Sequence, residues 1–183
     1  MTRRFSLPMY YMKLMTLYET DFARESEENF DCSNDGTWAY TLTDTLDDRE
    51  KIHFCDISWD LGSAADVDCD SLDPFPSVEM DAFSRVALHE MMHYSTVGPE
   101  TSLGLQIVDT KNLDGQFAYD PERVHGLVDE DQDDNPGLTE INADSYAWMA
   151  LDSWISRKCA DDATNDQWAL FFTEDPPNYE SED

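Results

Sequence analysis

The chain has 183 residues, enough for a domain with its own core, and an aromatic content of 12% argues against global disorder. Its 41 Asp and Glu residues against 11 Lys and Arg give a formal net charge of −30. This charge repels nucleic acids and anionic membranes and favours solubility. We therefore predict a single monomeric domain over residues 1–183 that binds neither nucleic acid nor membrane, with a mobile tail after about residue 173.

The cysteine pattern predicts disulfides. The chain has an even number of cysteines without CxxC or another close zinc-ligand spacing, namely Cys32, Cys55, Cys69 and Cys159. Two disulfides formed in an oxidising compartment are the expected use of such a set, although spacing leaves the pairing open. We predict an extracellular protein, even though Met1–Tyr18, interrupted by Pro8 and Lys13, is a poor signal peptide.

The first part of the chain predicts a helix and then a hairpin. Apolar residues recur at helical spacing within residues 9–30. Two β-prone runs follow, Thr37–Thr43 and Lys51–Trp59, separated by the charged residues Asp44–Glu50. This pattern is typical of a hairpin or of two neighbouring strands.

The most informative stretch is His-Glu-Met-Met-His at residues 89–93. Two histidines four residues apart on a helix share one face and can bind one metal ion, while Glu90 lies close enough to act as general base on a metal-activated water. Helical spacing of apolar residues predicts a helix from about Pro76 to the Gly98-Pro99 stop. The alternative is an amphipathic helix whose histidines are satisfied by hydrogen bonds.

The second half of the chain predicts shorter elements and one long helix. Leu103–Val108 has the composition of a short strand, and Pro121–Val128 that of a short helix. The acidic run Asp129–Asn135 is expected to form a solvated loop. Residues 139–158 then have a broad apolar side at helical spacing, which predicts a long helix.

A catalytic zinc ion usually has three protein ligands, so the two histidines need a partner. Glu140 and Asp144 lie four residues apart on the last predicted helix and share a face. Either carboxylate could bind the metal while the other supports the site. The spacing alone leaves both open.

At these residues the chain resembles a family. The motif at residues 89–93, together with Asn142-Ala143-Asp144-Ser145-Tyr146, resembles the deuterolysin or aspzincin group of fungal zinc metalloendopeptidases and related peptidases, in which HExxH is followed by Asn-Ala-Asp-x-Tyr. The resemblance extends from about Cys55 to Cys159. It implies a zincin-like fold and Asp144 as the third zinc ligand.

A second segment also resembles this family. Phe117-Ala118-Tyr119-Asp120-Pro121 is similar to the end of its Gly-Thr-x-Asp-x-x-Tyr-Gly segment, which implies that Tyr119 stabilises the oxyanion. The chain departs from the family at Gln116, where a supporting Asp is expected, and at Asp120, which replaces Gly. Asp109 and Asp114 are then the candidates for the supporting carboxylate.

These observations predict a helix-rich α+β domain with a zincin-like architecture, in which a small sheet lies beside the HExxH helix. The predicted function is zinc-dependent endopeptidase activity on protein or peptide substrates. The predicted Zn²⁺ ligands are His89, His93 and Asp144, and the predicted catalytic residues are Glu90 and Tyr119. Ile52–Trp59 is a candidate strand for pairing with the substrate backbone.

Two other functions are compatible with the sequence. A secreted zinc-binding protein or surface antigen would keep the metal site with little or no proteolysis, and the altered segment around Gln116 favours it. Glu90 argues against it, because metal binding alone needs no general base. The other is a purely structural acidic domain.

Overall fold

A computed structural model describes residues 32–33, 36–43, 49–73, 75–133 and 137–160. The predicted N-terminal helix, residues 9–30, and the predicted mobile tail lie outside these residues. The described part is rich in helix and contains one two-stranded antiparallel sheet, which confirms the α+β class.

The predicted hairpin is confirmed. Strand β1, Ala39–Thr43, pairs with strand β2, Glu50–Phe54, so that Thr41 lies opposite Ile52. β2 ends earlier than the predicted run, because Asp56–Asp60 form a 3-10 helix. The backbone N–H of Cys55 donates to the carbonyl of Trp38 at 2.9 Å, which extends the pairing by one residue before the 3-10 helix begins.

The helix that carries the His-Glu-Met-Met-His motif is helix α1, Phe83–Met92, which is shorter than predicted. It begins after Asp81, whose Oδ1 accepts a hydrogen bond from the N–H of Ala82 at 2.8 Å. At its other end the N–H of His93 bonds the carbonyl of Glu90 at 3.2 Å, three residues back, which tightens the last turn. His93 is therefore the residue that caps the helix.

Residues 94–107 form turns, and the strand predicted at Leu103–Val108 is absent there. Gly98 explains part of this path, because a Cβ at that position would lie 2.1 Å from the carbonyl oxygen of Leu105. Only glycine lets the two backbones approach so closely. Val108 forms a single parallel bridge with Asn142, which ties this segment to the second half of the chain.

Helix α2, Pro121–Asp133, is longer than predicted, so residues 129–133 are helical where a loop was expected. The predicted helix over residues 139–158 is observed as two pieces, α3, Leu138–Ile141, and α4, Ala143–Ala160. The break at Asn142 has a specific cause. Val108 donates to the carbonyl of Ile141 at 2.8 Å and accepts from Ala143 at 3.0 Å, which pulls the intervening residue into an extended conformation.

Helix α1 packs against α4, and β1 packs against α1. The main buried cluster lies along α4 and the residues before α1, and consists of Met80, Ala82, Trp148, Leu151, Ile155 and Cys159. Both predicted disulfides are present, Cys32–Cys55 and Cys69–Cys159, and the second joins the chain before α1 to the end of α4. Among the described residues, the helices are too short or too polar to cross a membrane.

Candidate metal centre

The two histidines of α1 face each other. The side chains of His89 and His93 are 9% and 18% exposed, and their Nε2 atoms lie 3.2 Å apart. One helical turn separates the residues, so both rings project from the same face as the sequence predicts. Two ring nitrogens this close need a shared proton or a cation between them.

A third donor atom completes the group. Oδ1 of Asp109 lies 3.2 Å from Nε2 of His89 and 3.3 Å from Nε2 of His93. For metal–ligand bonds of about 2.0 Å, the ligands of a tetrahedral zinc site lie about 3.3 Å from one another. The separations of the three atoms are similar to this value, and the atoms form a group that could hold a metal ion.

The opposite nitrogen of each ring is also held. Nδ1 of His93 lies 3.2 Å from the carbonyl oxygen of Ile107, and Nδ1 of His89 lies 3.0 Å from Oδ1 of Asp144. These contacts at Nδ1 orient the rings and leave Nε2 available as a ligand. Both histidines therefore present the correct nitrogen to the site.

Asp144 lies behind His89 and outside this group of donor atoms. Its side chain is fully buried, and its Oδ1 is shared between Nδ1 of His89 and Nη1 of Arg85, the latter at 3.1 Å. The structure brings Asp144, the predicted ligand, to the site, but on the Nδ1 side of the His89 ring and away from the two Nε2 atoms. Asp109, rather than Asp144, lies with the two histidines in the group that could hold a metal ion, and Glu140, the other candidate, is exposed on α3.

A buried arginine holds Asp144 in place. Arg85 forms two bonds with Asp81, from Nε to Oδ1 at 2.9 Å and from Nη2 to Oδ2 at 2.7 Å. Its guanidinium also lies over the ring of Trp148, 4.9 Å from the centroid. The positive charge of Arg85 stabilises the buried carboxylate of Asp144, because an unpaired buried charge would be strongly unfavourable.

Asn142 positions the segment that carries Asp109. Its Oδ1 accepts from the N–H of Thr110 at 3.2 Å, and its Nδ2 lies 3.4 Å from the carbonyl oxygen of Ala118. A tight loop joins these two residues, with Gly115 at its tip in the left-handed region at a φ of 79°. Asn142 thus bonds to both ends of the loop. Asp109 directly precedes the loop, and Tyr119 directly follows it.

Glu90 lies next to the donor atoms and is buried. Its Oε1 is 4.0 Å from Nε2 of His89, and its Oε2 is 2.8 Å from the hydroxyl of Thr41. Burial raises the pKa of Glu90 above the usual value for a glutamic acid, while the charge of His89 and the hydrogen bond from Thr41 oppose the rise. A carboxylate with a raised pKa is a more effective proton acceptor near neutral pH.

Tyr119 stands at the rim of the group. Its ring meets the ring of His89 edge-on, with 5.8 Å between the centroids, and the carboxylate of Asp109 acts on its hydroxyl electrostatically. Burial and the charge of Asp109 raise the pKa of Tyr119 above its usual value. The hydroxyl therefore keeps its proton and can act as a donor. Asp114, the other candidate for a supporting carboxylate, is exposed near the tip of the loop.

The electrostatics of the centre favour cations. Burial opposes a charge on His89, but hydrogen bonds with Asp109 and Asp144 outweigh it and raise its pKa to about 10. Burial likewise opposes a charge on Asp109, but the two histidines hold its pKa below the usual range. The same carboxylates would stabilise a metal ion in place of a proton.

Compared with protein-family models, with curated proteins and with solved structures, the chain finds no match in any of the three. The sequence predicts roles for His89, Glu90 and His93, which the structure brings together, and it offers Asp109 only as a supporting carboxylate. The sequence signal that points to Asp109 is its place just before the tight loop between Thr110 and Ala118.

Proposed function

We propose that this protein is a secreted zinc-dependent endopeptidase whose metal ligands are His89, His93 and Asp109. The observation that carries the proposal is the convergence of their three donor atoms, 3.2 to 3.3 Å apart, beside the buried carboxylate of Glu90. A metal site that serves only to bind has no need of a general base at this position.

The donor set favours zinc over the harder divalent cations. Two imidazole nitrogens and one carboxylate oxygen form a common catalytic zinc set, whereas calcium and magnesium prefer all-oxygen ligands. The resemblance to the aspzincin group supports the same metal, with Asp144 now assigned to orienting His89. When bound, zinc polarises a peptide carbonyl and lowers the pKa of water.

The three proposed ligands, His89, His93 and Asp109, form the metal group. The residues around it have distinct roles in this proposal. Glu90 accepts a proton from the attacking water at Oε1 and passes it to the leaving amine. Tyr119, which is 41% exposed and keeps its proton, donates a hydrogen bond to the oxygen on which negative charge develops. Asp144 and Arg85 hold the ring of His89 from behind.

Two disulfides indicate folding in an oxidising environment, which supports an extracellular location for this activity. The strand that lies beside the metal helix is β1, whereas the sequence pointed to Ile52–Trp59 for substrate pairing. In this proposal, an extended peptide would pair with an edge of the hairpin.

The test is the Glu90→Gln variant. It removes the base and keeps all three ligands, so peptide cleavage is expected to fall by about two to four orders of magnitude. Zinc content and affinity should stay close to the wild type, because Gln is nearly isosteric with Glu.

Glu140→Gln is the matched control: this glutamate is exposed on α3, and its variant should cleave at the wild-type rate. Unchanged cleavage by Glu90→Gln would contradict the peptidase mechanism. Zinc binding with no cleavage by the wild type would favour the zinc-binding protein.

A further inference from the structure

The general base of the proposed mechanism is contacted from a different element of the fold. Thr41 lies in the middle of β1, and its hydroxyl is 2.8 Å from the carbonyl oxygen of Glu90 and 2.8 Å from Oε2 of the same residue. The two residues are 49 positions apart in the chain. This contact therefore exists only because the hairpin packs on α1.

A threonine hydroxyl has one hydrogen, and the structure indicates which oxygen receives it. The carbonyl oxygen of Glu90 already accepts the backbone N–H of His93 at 3.2 Å. A hydrogen bond to a carboxylate is shorter and stronger than one to a neutral carbonyl, especially where water is excluded. The carboxylate Oε2 is therefore the favoured acceptor.

This bond distinguishes the two oxygens of Glu90. Oε2 is held by β1, whereas Oε1 is directed towards the metal group, 4.0 Å from Nε2 of His89. A glutamate side chain has three rotatable bonds, so without the restraint it would sample other orientations. The backbone pairing of Thr41 with Ile52 in turn fixes the donor.

We infer that Thr41 is a positioning residue for the general base, holding Oε2 of Glu90 so that Oε1 alone faces the reacting water. The inference rests on the proposed function and deepens it, because it makes the hairpin part of the catalytic apparatus. Neither the motif at residues 89–93 nor the resemblance to the aspzincin group assigns a role to this threonine.

The experiment compares Thr41→Val, Thr41→Ser and the wild type in peptide cleavage, and measures zinc affinity on the same samples. Val keeps the shape of Thr and removes the donor, so kcat should fall by about tenfold to a hundredfold, the range expected when a catalytic group is misplaced. KM and zinc affinity should change by less than about threefold, because neither substrate nor ligand contacts are removed. Ser restores the hydroxyl and should recover most of kcat.

Thr101→Val provides a matched control. This threonine lies in the turns after α1, where its hydroxyl bonds the carbonyl of Gly98 at 2.8 Å, and its variant should retain the wild-type kcat. Wild-type activity in Thr41→Val, with Glu90→Gln inactive, would overturn the inference and leave the proposed function standing. An equal loss in the Val and Ser variants, or a loss of zinc affinity in Thr41→Val, would also overturn it. Full activity of Glu90→Gln would remove both the inference and the proposed function.

Discussion

Asp109 and Asp144 both contact His89, but they do so at opposite nitrogens of its ring. Asp109 lies at Nε2, where His93 also points, and Asp144 lies at Nδ1 together with Arg85. In the proposed site, Asp109 would be a metal ligand and Asp144 a carboxylate that orients a ligand. The two residues should therefore respond differently to substitution.

We predict that Asp109→Ala weakens zinc binding much more than Asp144→Asn. Loss of an orienting carboxylate typically costs about tenfold to a hundredfold in metal affinity, and loss of a ligand should cost more. Affinities need to be measured at one pH, because protons compete with the metal for these groups. Asp114→Ala, in the same loop but exposed, should bind as the wild type does. A larger loss in Asp144→Asn than in Asp109→Ala would return the ligand role to Asp144.

A second residue-scale prediction concerns Asp152 on α4, which is 9% exposed. Burial raises the pKa of its carboxyl to about 6, against about 3.9 in an unfolded chain. The folded state therefore favours the protonated acid. The contribution of the Asp152 carboxyl to the free energy of unfolding is fully present below its unfolded pKa and is lost as the pH rises through about 6.

Asp152→Asn, which stays neutral, should thus be more stable than the wild type above pH 7, by roughly 2 to 3 kcal/mol, with the difference shrinking towards pH 4. Urea unfolding at several pH values measures this. Asp66→Asn, at an exposed position, should show no such trend. A gain in stability that is independent of pH would contradict the assignment of the effect to burial of the charge.

At the scale of elements, the helices and strands that depend on neighbouring residues in the chain could be predicted from local sequence patterns. The β-prone runs of the hairpin and the helical spacing in α1 and α4 are properties of their own side chains, so these elements could be predicted from the sequence. Asn142 could not be identified as a break, because the break depends on backbone bonds with Val108, more than thirty residues away in the chain.

The same reason explains the incomplete prediction of the metal site. His89 and His93 share a helix, and helical geometry brings them together. Asp109 lies in an irregular segment whose position depends on the Val108–Asn142 bridge, and no periodicity indicates that contact. The Asn142-Ala143-Asp144 motif was informative in a different way, because its two polar side chains hold the parts of the site in place.

The disulfides give a prediction at this scale. The Cys69–Cys159 pair spans 90 residues and the Cys32–Cys55 pair spans 23, and Cys159 lies in the main buried cluster. The longer loop restricts the unfolded chain more. Replacing Cys69 and Cys159 by Ser should therefore lower the free energy of unfolding by about 4 kcal/mol or more, against about 3 kcal/mol for replacing Cys32 and Cys55. Urea unfolding of the two double variants tests this order. An equal or smaller loss for the Cys69–Cys159 pair would contradict it.

At the scale of the whole molecule, the net charge of −30 creates a negative potential that concentrates cations near the surface. Within the described residues, the metal group adds buried carboxylates to this field, with Asp144 and Glu90 both close to His89. For the proposed endopeptidase, this acidity would favour capture of a divalent cation and of positively charged peptides, more so at low ionic strength.

The measurement that tests the account most directly is cleavage of casein by the purified full chain, with the zinc content of the same samples determined. We predict one zinc per chain, cleavage that stops when a chelator removes the metal, and recovery when zinc is added back. Cleavage that persists after the zinc is removed, or a fully zinc-loaded protein that cleaves neither casein nor a peptide library, would contradict it.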